Sequence, residues 1–488
     1  MFMRVVYDEK LAQAAYLIGC QKTGEAIVID PQRDVDRYLA LAADNGLRIT
    51  AVAETHIHAD FLSGARELAE RAGARVYVSD EGDAEWKYEW LDKKIGGGVY
   101  DHQLLHDGDT FRVGGIELRA LHTPGHTPEH LAFLVTDRGG GADAPLGLAS
   151  GDFVFVGDLG RPDLLETAAG QAGAMLPAAR RLHRTVLGLD RLPEFVQVWP
   201  GHGAGSACGK ALGAVPISTI GYEKRFNPAI RAAQREEDFV RFILADQPEP
   251  PLYFANMKRD NKLGPRVLGA LPRPQRLSAE ELARVDAHRA ALIDTRGWSA
   301  FRSGHLPGAL WIPLTRSFTS DAGSFVREDE EIVLIVEPER LEEALRDLVR
   351  IGLDRVSAWA TPGDVDALAR AGGAVASLPE VGVEQARGLV ERGEVSVLDV
   401  RRASEFAEGR IPGAVNIAHT RLAAHLEQLP RDRTLLVNCR SGGRSGRACA
   451  FLQRKGRRVV NLAGGMLAWD AAAAPPSAFC STKRENAT

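Results

Sequence analysis

Ile49-Thr50-Ala51-Val52-Ala53-Glu54-Thr55-His56-Ile57-His58-Ala59-Asp60-Phe61 runs from an unbroken apolar stretch into a cluster of histidines and acids. The run ITAVAE predicts a buried strand. In extended chain just beyond it, residues i and i+2 project to one side, so His56 and His58 can face one centre. Three further islands match this one: His122-Thr123-Pro124-Gly125-His126, Gly151-Asp152 after the apolar run APLGLAS, and Pro200-Gly201-His202-Gly203. Neutral imidazoles with a carboxylate, presented from separate strand ends, suit a borderline divalent metal such as iron or zinc.

Around these islands the first 245 residues read as alternating short strands and helices. AAYLIG and EAIVID have strand character, and DVDRYLALAADNG reads as an amphipathic helix ending at Gly46. The chain has 488 residues, 45% apolar and 26% charged, with a net charge of −5. That length suggests about three domains. The near-neutral charge gives no reason to expect nucleic acid or a membrane surface as partner. Asp8, Glu9 and Lys10 interrupt the run a signal peptide would need, and no window reaches the ~18 apolar residues of a span. Five scattered cysteines, Cys20, Cys208, Cys439, Cys449 and Cys480, argue for a reducing compartment. The expectation is a cytoplasmic enzyme, with self-association into a homo-oligomer compatible with the composition.

DQPEPPLYFANMKRDNKLGP, at 246–265, is Pro-rich and then polar, and reads as a linker. An internal repeat follows. ALIDTRGWSAFRSGHLPGALWIP (291–313) matches SVLDVRRASEFAEGRIPGAVNIA (396–418) at an offset of 105 residues, and EIVLIVEP (331–338) parallels RTLLVNCR (433–440). Two βαβ-type domains are expected, at 270–375 and 378–475, after an N-terminal domain at 1–245 and a linker at 246–269, with a tail at 476–488.

In the second repeat, TLLVN leads into Cys439-Arg440-Ser441-Gly442-Gly443-Arg444-Ser445 and then a helix. A cysteine there lies in a cup of backbone N–H groups at a helix N-terminus, and with two arginines nearby the cup favours a thiolate or a persulfide. Phosphotyrosine-type phosphatases use a similar C-x5-R cradle, but the sixth residue after Cys439 is Ser445. The first repeat has Glu337-Pro338-Glu339 at this point, without nucleophile or glycine cup, so it is expected to be inactive.

The N-terminal islands resemble the metallo-β-lactamase superfamily pattern HxHxDH, HTPGH, GD and a late His. Dinuclear hydrolases of that superfamily need a histidine where this chain has Phe61. The wider likeness, through THIHADFLSG, HTPGHTPEH, GDFVFVGDLGRPDL and PGHG, is to persulfide dioxygenases. That resemblance implies one Fe(II) per chain held by His56, His126 and Asp152, a facial triad with open positions for a thiol persulfide and O₂. Spacing alone nominates His58 as a ligand too; the resemblance puts His58, Asp60 and His202 around the ligands instead. It also makes Arg161, Asp163 and Cys208 candidates for substrate contact. The second repeat resembles rhodanese sulfurtransferases, with Cys439 as sulfur acceptor and Asp399 and Arg401 as structural partners.

The whole chain is similar to persulfide dioxygenase–sulfurtransferases of the CstB type. The implied architecture is α/β: an αββα sandwich followed by an inactive and an active rhodanese-like domain with parallel sheets. The implied activity is oxidation of a low-molecular-weight thiol persulfide by O₂ to sulfite, then sulfur transfer giving thiosulfate, in sulfide detoxification. Rival readings are a glyoxalase II-type thioester hydrolase joined to a sulfurtransferase, and a non-catalytic persulfide sensor.

Overall fold

The computed structural model describes residues 1–168 and 170–472; the expected tail, 476–488, lies outside them. The N-terminal part is built on two six-stranded sheets. The first carries Phe2–Asp8, Gln13–Cys20, Glu25–Ile29, Arg48–Ala53, Arg75–Ser79 and His102–Leu105 in chain order. The second runs Ser218–Thr219, Gln197–Pro200, Gly147–Gly151, Leu131–Asp137, Ile116–His122, Thr110–Val113.

Alternation along the strands explains the layering. In Gln13–Cys20, Ala14, Tyr16, Ile18 and Cys20 point into the inter-sheet core with Phe111, Leu118, Phe133 and Trp199. Ala15 and Leu17 face the other way, onto the helices Asp36–Asp44 and Ala65–Ala72. A strand buried on both faces therefore reads as continuous apolar sequence. The second sheet is covered in the same way by Met175–Leu187 and Glu236–Leu244, through Leu182, Val186, Phe239 and Ile243. The sandwich is αββα, as expected.

The 246–269 stretch does not behave as a linker, and this corrects the sequence expectation. Phe254–Leu263 is a helix whose Phe254, Met257 and Asn261 are buried. Its polar composition concealed a stripe at i, i+3, i+7. Asn261 Nδ2 donates to the carbonyls of His58 (2.8 Å) and Phe61 (2.7 Å), and its Oδ1 accepts from Ser63 N at 2.8 Å. This helix fixes the loop that carries the first histidine–acid island.

The second repeat forms a sheet in the order Glu380–Val381, Val459–Leu462, Thr434–Asn438, Val395–Asp399, Val415–Asn416, all parallel. The first repeat has five strands in the same order. Each repeat folds its opening strand end with the same ion pair. Arg401 Nη2 lies 2.7 Å from Asp399 Oδ2 and donates to Gly409 O at 2.6 Å; Arg296 Nη2 lies 2.8 Å from Asp294 Oδ2 and donates to Gly304 O at 2.7 Å.

The chain divides into two compact units, and the first repeat is not one of them. Leu314–Ile332 and Glu337–Trp359 group with Met1–Arg276, whereas Leu277–Pro313, Val333–Val336 and the chain from Ala360 form the other unit. In the second unit Trp298 and Trp311 close over Gly446, where a Cβ would meet each ring at 2.9 Å.

In the first unit the helix Leu341–Arg350 is locked by charge. Arg350 pairs with Asp34 through Nε (3.0 Å) and Nη2 (2.7 Å), and with Asp8 through Nη1, all of them buried. Removing one partner of a buried network strands the others. Arg350→Met is therefore expected to destabilise this unit by about 3–5 kcal/mol, read as a lowered melting transition in calorimetry. A loss below about 1 kcal/mol, the surface-pair range, would show the network to be dispensable.

Candidate metal centre and persulfide cysteine

Every histidine–acid island sits just past a strand end on one rim of the sandwich. His56 follows Arg48–Ala53, the HTPGH turn follows Ile116–His122, Asp152 follows Gly147–Gly151, and His202 follows Gln197–Pro200. Ligand atoms of His56, His126 and Asp152 converge within 4.8 Å of one another, all three residues buried. Close backbone approach makes this possible. Gly201 has no side chain where a Cβ would lie 2.7 Å from Asp152 Oδ1.

The hydrogen bonds fix the imidazole tautomers. Thr55 Oγ1 donates to Asp30 Oδ2 (2.9 Å), so it accepts from His56 Nδ1 at 2.9 Å. His126 Nδ1 donates to Arg161 O at 2.9 Å. Both rings therefore keep a lone pair on Nε2, and His126 Nε2 lies 3.5 Å from Asp152 Oδ2. Burial lowers the pKa of both histidines, which keeps them neutral. Both Asp152 oxygens are buried without a hydrogen-bond partner. Two neutral imidazole nitrogens and an orphaned carboxylate would be costly to bury unless something binds them. They fit a divalent transition metal.

His58 turns away from this trio. Its Nε2 lies 3.2 Å from Asp30 Oδ1 and 3.1 Å from Glu54 Oε2. Burial opposes its charge, yet the two carboxylates overcome that and raise its pKa well above the ordinary value. With Asp30 and Glu54 it forms a convergence of its own, separate from His56, His126 and Asp152. The nomination of His58 by spacing alone is not what the geometry favours. Phe61 is fully buried, its ring 4.4 Å from that of His58.

Asp60, His202 and Cys208 form a second convergence beside the first. His202 donates from Nδ1 to Ala12 O (3.2 Å), leaving Nε2 at 3.4 Å from Asp60 Oδ2 and 3.5 Å from Asp152 Oδ1. Burial, then Asp60 and Asp152, push the Cys208 thiol pKa well up, so it stays protonated when nothing is bound to it.

Arg161 and Asp163 correct the expectation that they meet substrate. Arg161 is 1% exposed. Nε and Nη2 donate to the Asp163 carboxylate at 2.8 and 2.5 Å, and Nη1 donates to Ala207 O at 2.9 Å. Each of the three guanidinium nitrogens donates one hydrogen bond inside the protein. The pair holds the 160s loop, whose Arg161 carbonyl orients His126.

In the last repeat Cys439 is buried at the end of Thr434–Asn438, under the N-terminus of the helix Gly443–Arg454. Gly442 N donates to Sγ at 3.1 Å, and the single Ser445 hydroxyl proton can turn to Sγ at 3.4 Å or to Gly442 O at 3.0 Å. Gly442 caps the helix at φ +98°, a conformation that favours glycine. Arg444 is held bidentate by Glu405 at 2.7 Å on each arm, whereas Arg440 and Ser441 are exposed at the rim and Gly443 opens the helix. The cup is made mainly of backbone and Ser445, with less guanidinium than the sequence suggested. The corresponding turn of the first repeat, Glu337 to Arg340, has no cysteine.

Comparison with known proteins matches both domains. The metallo-beta-lactamase superfamily model matches residues 9–202, and the rhodanese-like domain model matches residues 382–472. A probable metallo-hydrolase of Burkholderia pseudomallei is 31% identical over 48% of this chain, which covers 82% of that protein. The chain belongs to the metallo-beta-lactamase superfamily. It is a superfamily member with a C-terminal rhodanese-like domain. A sulfurtransferase of Allochromatium vinosum is 39% identical over 17% of this chain and 77% of its own length. A solved metallo-beta-lactamase from Staphylococcus aureus covers 74% of this chain and 99% of its own, at 40% identity and a TM-score of 0.66. The chain spans between 54% and 61% of the length of the beta-lactamase hydrolase-like proteins it also matches.

Sequence reasoning missed three members of this metallo-beta-lactamase-type site. Asp30 holds Thr55 through N (2.7 Å) and Oγ1, and does so at φ +51°, a strained value for a non-glycine residue. His130 Nε2 accepts from Asp152 N at 3.0 Å. Asn261 comes from some 200 residues away. The ends of EAIVID and HTPEH carried a signal for the first two; nothing local marked Asn261. Among the described residues no helix is long and apolar enough to cross a membrane.

Proposed function

We propose that this protein oxidises a low-molecular-weight thiol persulfide with O₂ and moves sulfane sulfur onto the resulting sulfite. The observation that carries the reading is the buried convergence of His56, His126 and Asp152, whose carboxylate oxygens have no hydrogen-bond partner, together with Phe61 where the dinuclear pattern has a histidine. An Fe(II) ion held by those three would supply a binding site for sulfur and the electrons for O₂ activation. The protein residues do the rest. Thr55 and the Arg161 carbonyl fix the ring tautomers, and His130 and Gly201 fit closely around Asp152. His202 and Asp60 stand beside Asp152, where they would hold a water or a substrate proton. One persulfide, one O₂ and one water give one thiol, one sulfite and two protons.

In the second unit Cys439 takes the terminal sulfur of a persulfide, releasing the carrier thiol. The Gly442 N–H and the Ser445 hydroxyl hold the thiolate before transfer and the charged sulfur after it. Sulfite then attacks that sulfur, and thiosulfate leaves while the Cys439 thiolate returns. The first repeat, lacking a nucleophile, is assigned a structural role, and an intracellular setting suits both thiols.

The test is metal analysis on anaerobically purified protein together with an oxygen electrode. About one iron per chain and persulfide-dependent O₂ uptake are expected. Two tightly bound zinc ions with thioester hydrolysis, or iron without turnover, would overturn the reading.

A further inference from the structure

Part of the inactive repeat folds with the active one and reaches the Cys439 cup. Trp298 opens the helix Trp298–Ser303, and Trp311 ends the strand Leu310–Trp311. Their ring centres lie 4.7 Å apart, and a Cβ on Gly446 of the active repeat would meet Cζ3 of each ring at 2.9 Å. Trp311 is itself fixed, its Nε1 donating to Arg296 O at 2.8 Å. Gly446 lies in the first turn of the helix Gly443–Arg454, and its N–H donates to Gly442 O at 3.0 Å. A second contact supports the same turn. Trp298 Nε1 donates to Glu380 Oε1 at 2.9 Å, and Asn461 Nδ2 donates to that oxygen at 2.8 Å. Asn461 is fully buried, with Nδ2 3.9 Å from where a Gly442 Cβ would stand. At the other end of the helix, Arg454 donates through Nε to Ala287 O and through Nη2 to Ala290 O, both at 3.2 Å.

Aromatic rings packed at contact distance leave a backbone turn little room to shift. That turn carries the Gly442 N–H and the Ser445 hydroxyl, the groups that face Cys439 Sγ. We propose that Trp298 and Trp311 are positioning residues for sulfur transfer: by seating the first turn of Gly443–Arg454, they hold those two donors on Cys439. The repeat without a nucleophile thereby completes the site of the repeat that has one. The inference rests on Cys439 as the sulfur acceptor, and adds the groups that keep its cup in place.

Gly446→Ala and Trp298→Ala test this on the full chain. Alanine forms helix better than glycine, so Gly446→Ala should be harmless if the rings merely cover the helix. In both variants, amide hydrogen exchange read by mass spectrometry should quicken about tenfold or more in the peptide spanning 439–449. Exchange in the strand Val395–Asp399 should stay as in the wild type, which separates a loosened turn from a weakened domain. Transfer of sulfur from thiosulfate to cyanide should fall about tenfold or more in kcat/KM. Glu380→Gln, which keeps the shared acceptor oxygen, should preserve both properties, and Glu380→Ala should lose part of each. The proposal is overturned if exchange at 439–449 matches the wild type in both variants, or quickens equally in Val395–Asp399. Wild-type sulfur transfer from a loosened turn would overturn it too. If the wild type transfers no sulfur while exchange quickens at 439–449 alone, the rings do hold the cup and it is the assignment of Cys439 that fails.

Discussion

Asp152→Ala is expected to lose bound metal and O₂ consumption together, while the protein stays folded. The carboxylate provides two buried oxygens that nothing in the protein satisfies. With it gone, two neutral imidazoles remain, and the metal affinity should fall by more than the ~10–100-fold typical of an outer partner. The metal-free variant should also melt no lower than the metal-free wild type. A buried carboxyl group without hydrogen-bond partners opposes folding, so its removal relieves a cost. Metal analysis and a melting curve with and without chelator read the two effects separately. If Asp152→Ala retains iron and O₂ uptake, the ion sits elsewhere, and Asp60, His202 and Cys208 become the first place to look.

Cys439→Ser is expected to separate the two chemistries. The substitution nearly conserves volume, so Gly442 and the start of the helix Gly443–Arg454 should stay in place. A hydroxyl cannot take up sulfane sulfur as a thiolate does. With a thiol persulfide as substrate, O₂ should still be consumed, sulfite should accumulate, and thiosulfate should fall by about two orders of magnitude or more. Thiosulfate formed at the wild-type rate would move sulfur transfer to another residue, with Cys208 beside the metal centre the leading candidate. Loss of O₂ uptake along with thiosulfate would mean that persulfide must arrive through Cys439.

The parts of this molecule legible in the sequence are those encoded by period and by local motif. Strands such as Gln13–Cys20 announce themselves because both faces are buried, and the histidine islands stand where strands end. The repeat at an offset of 105 residues is a likeness of sequence, and the Asp–Arg pairs at 294/296 and 399/401 give it the same physical meaning twice. What stayed hidden is partnership at long range. Arg161 looks like an anion receptor until Asp163 and Ala207 are seen to occupy it. His58 looks like a ligand until Asp30, 28 positions earlier, claims its nitrogen. Arg350 looks like an ordinary helix-end cation, and its meaning lies in Asp8 and Asp34. No local pattern carries such information, since the free energy comes from which groups meet when the chain closes.

The helix Phe254–Leu263 changes where a joint between genes could lie. The Pro-rich start of this region invites a cut near residue 245, as if an oxygenase and a sulfur carrier had been strung together by a tether. Such a crossover would hand a new partner a metal-binding loop stripped of Asn261, with the carbonyls of His58 and Phe61 left without their donor. It would also take away the apolar residues Phe254 and Met257. The tolerated break points must therefore lie beyond this helix, and Arg350 with its two aspartates pushes them further along the chain. The first repeat, though it has no nucleophile, contributes Leu314–Ile332 and Glu337–Trp359 to the N-terminal unit, so removing it would break that unit.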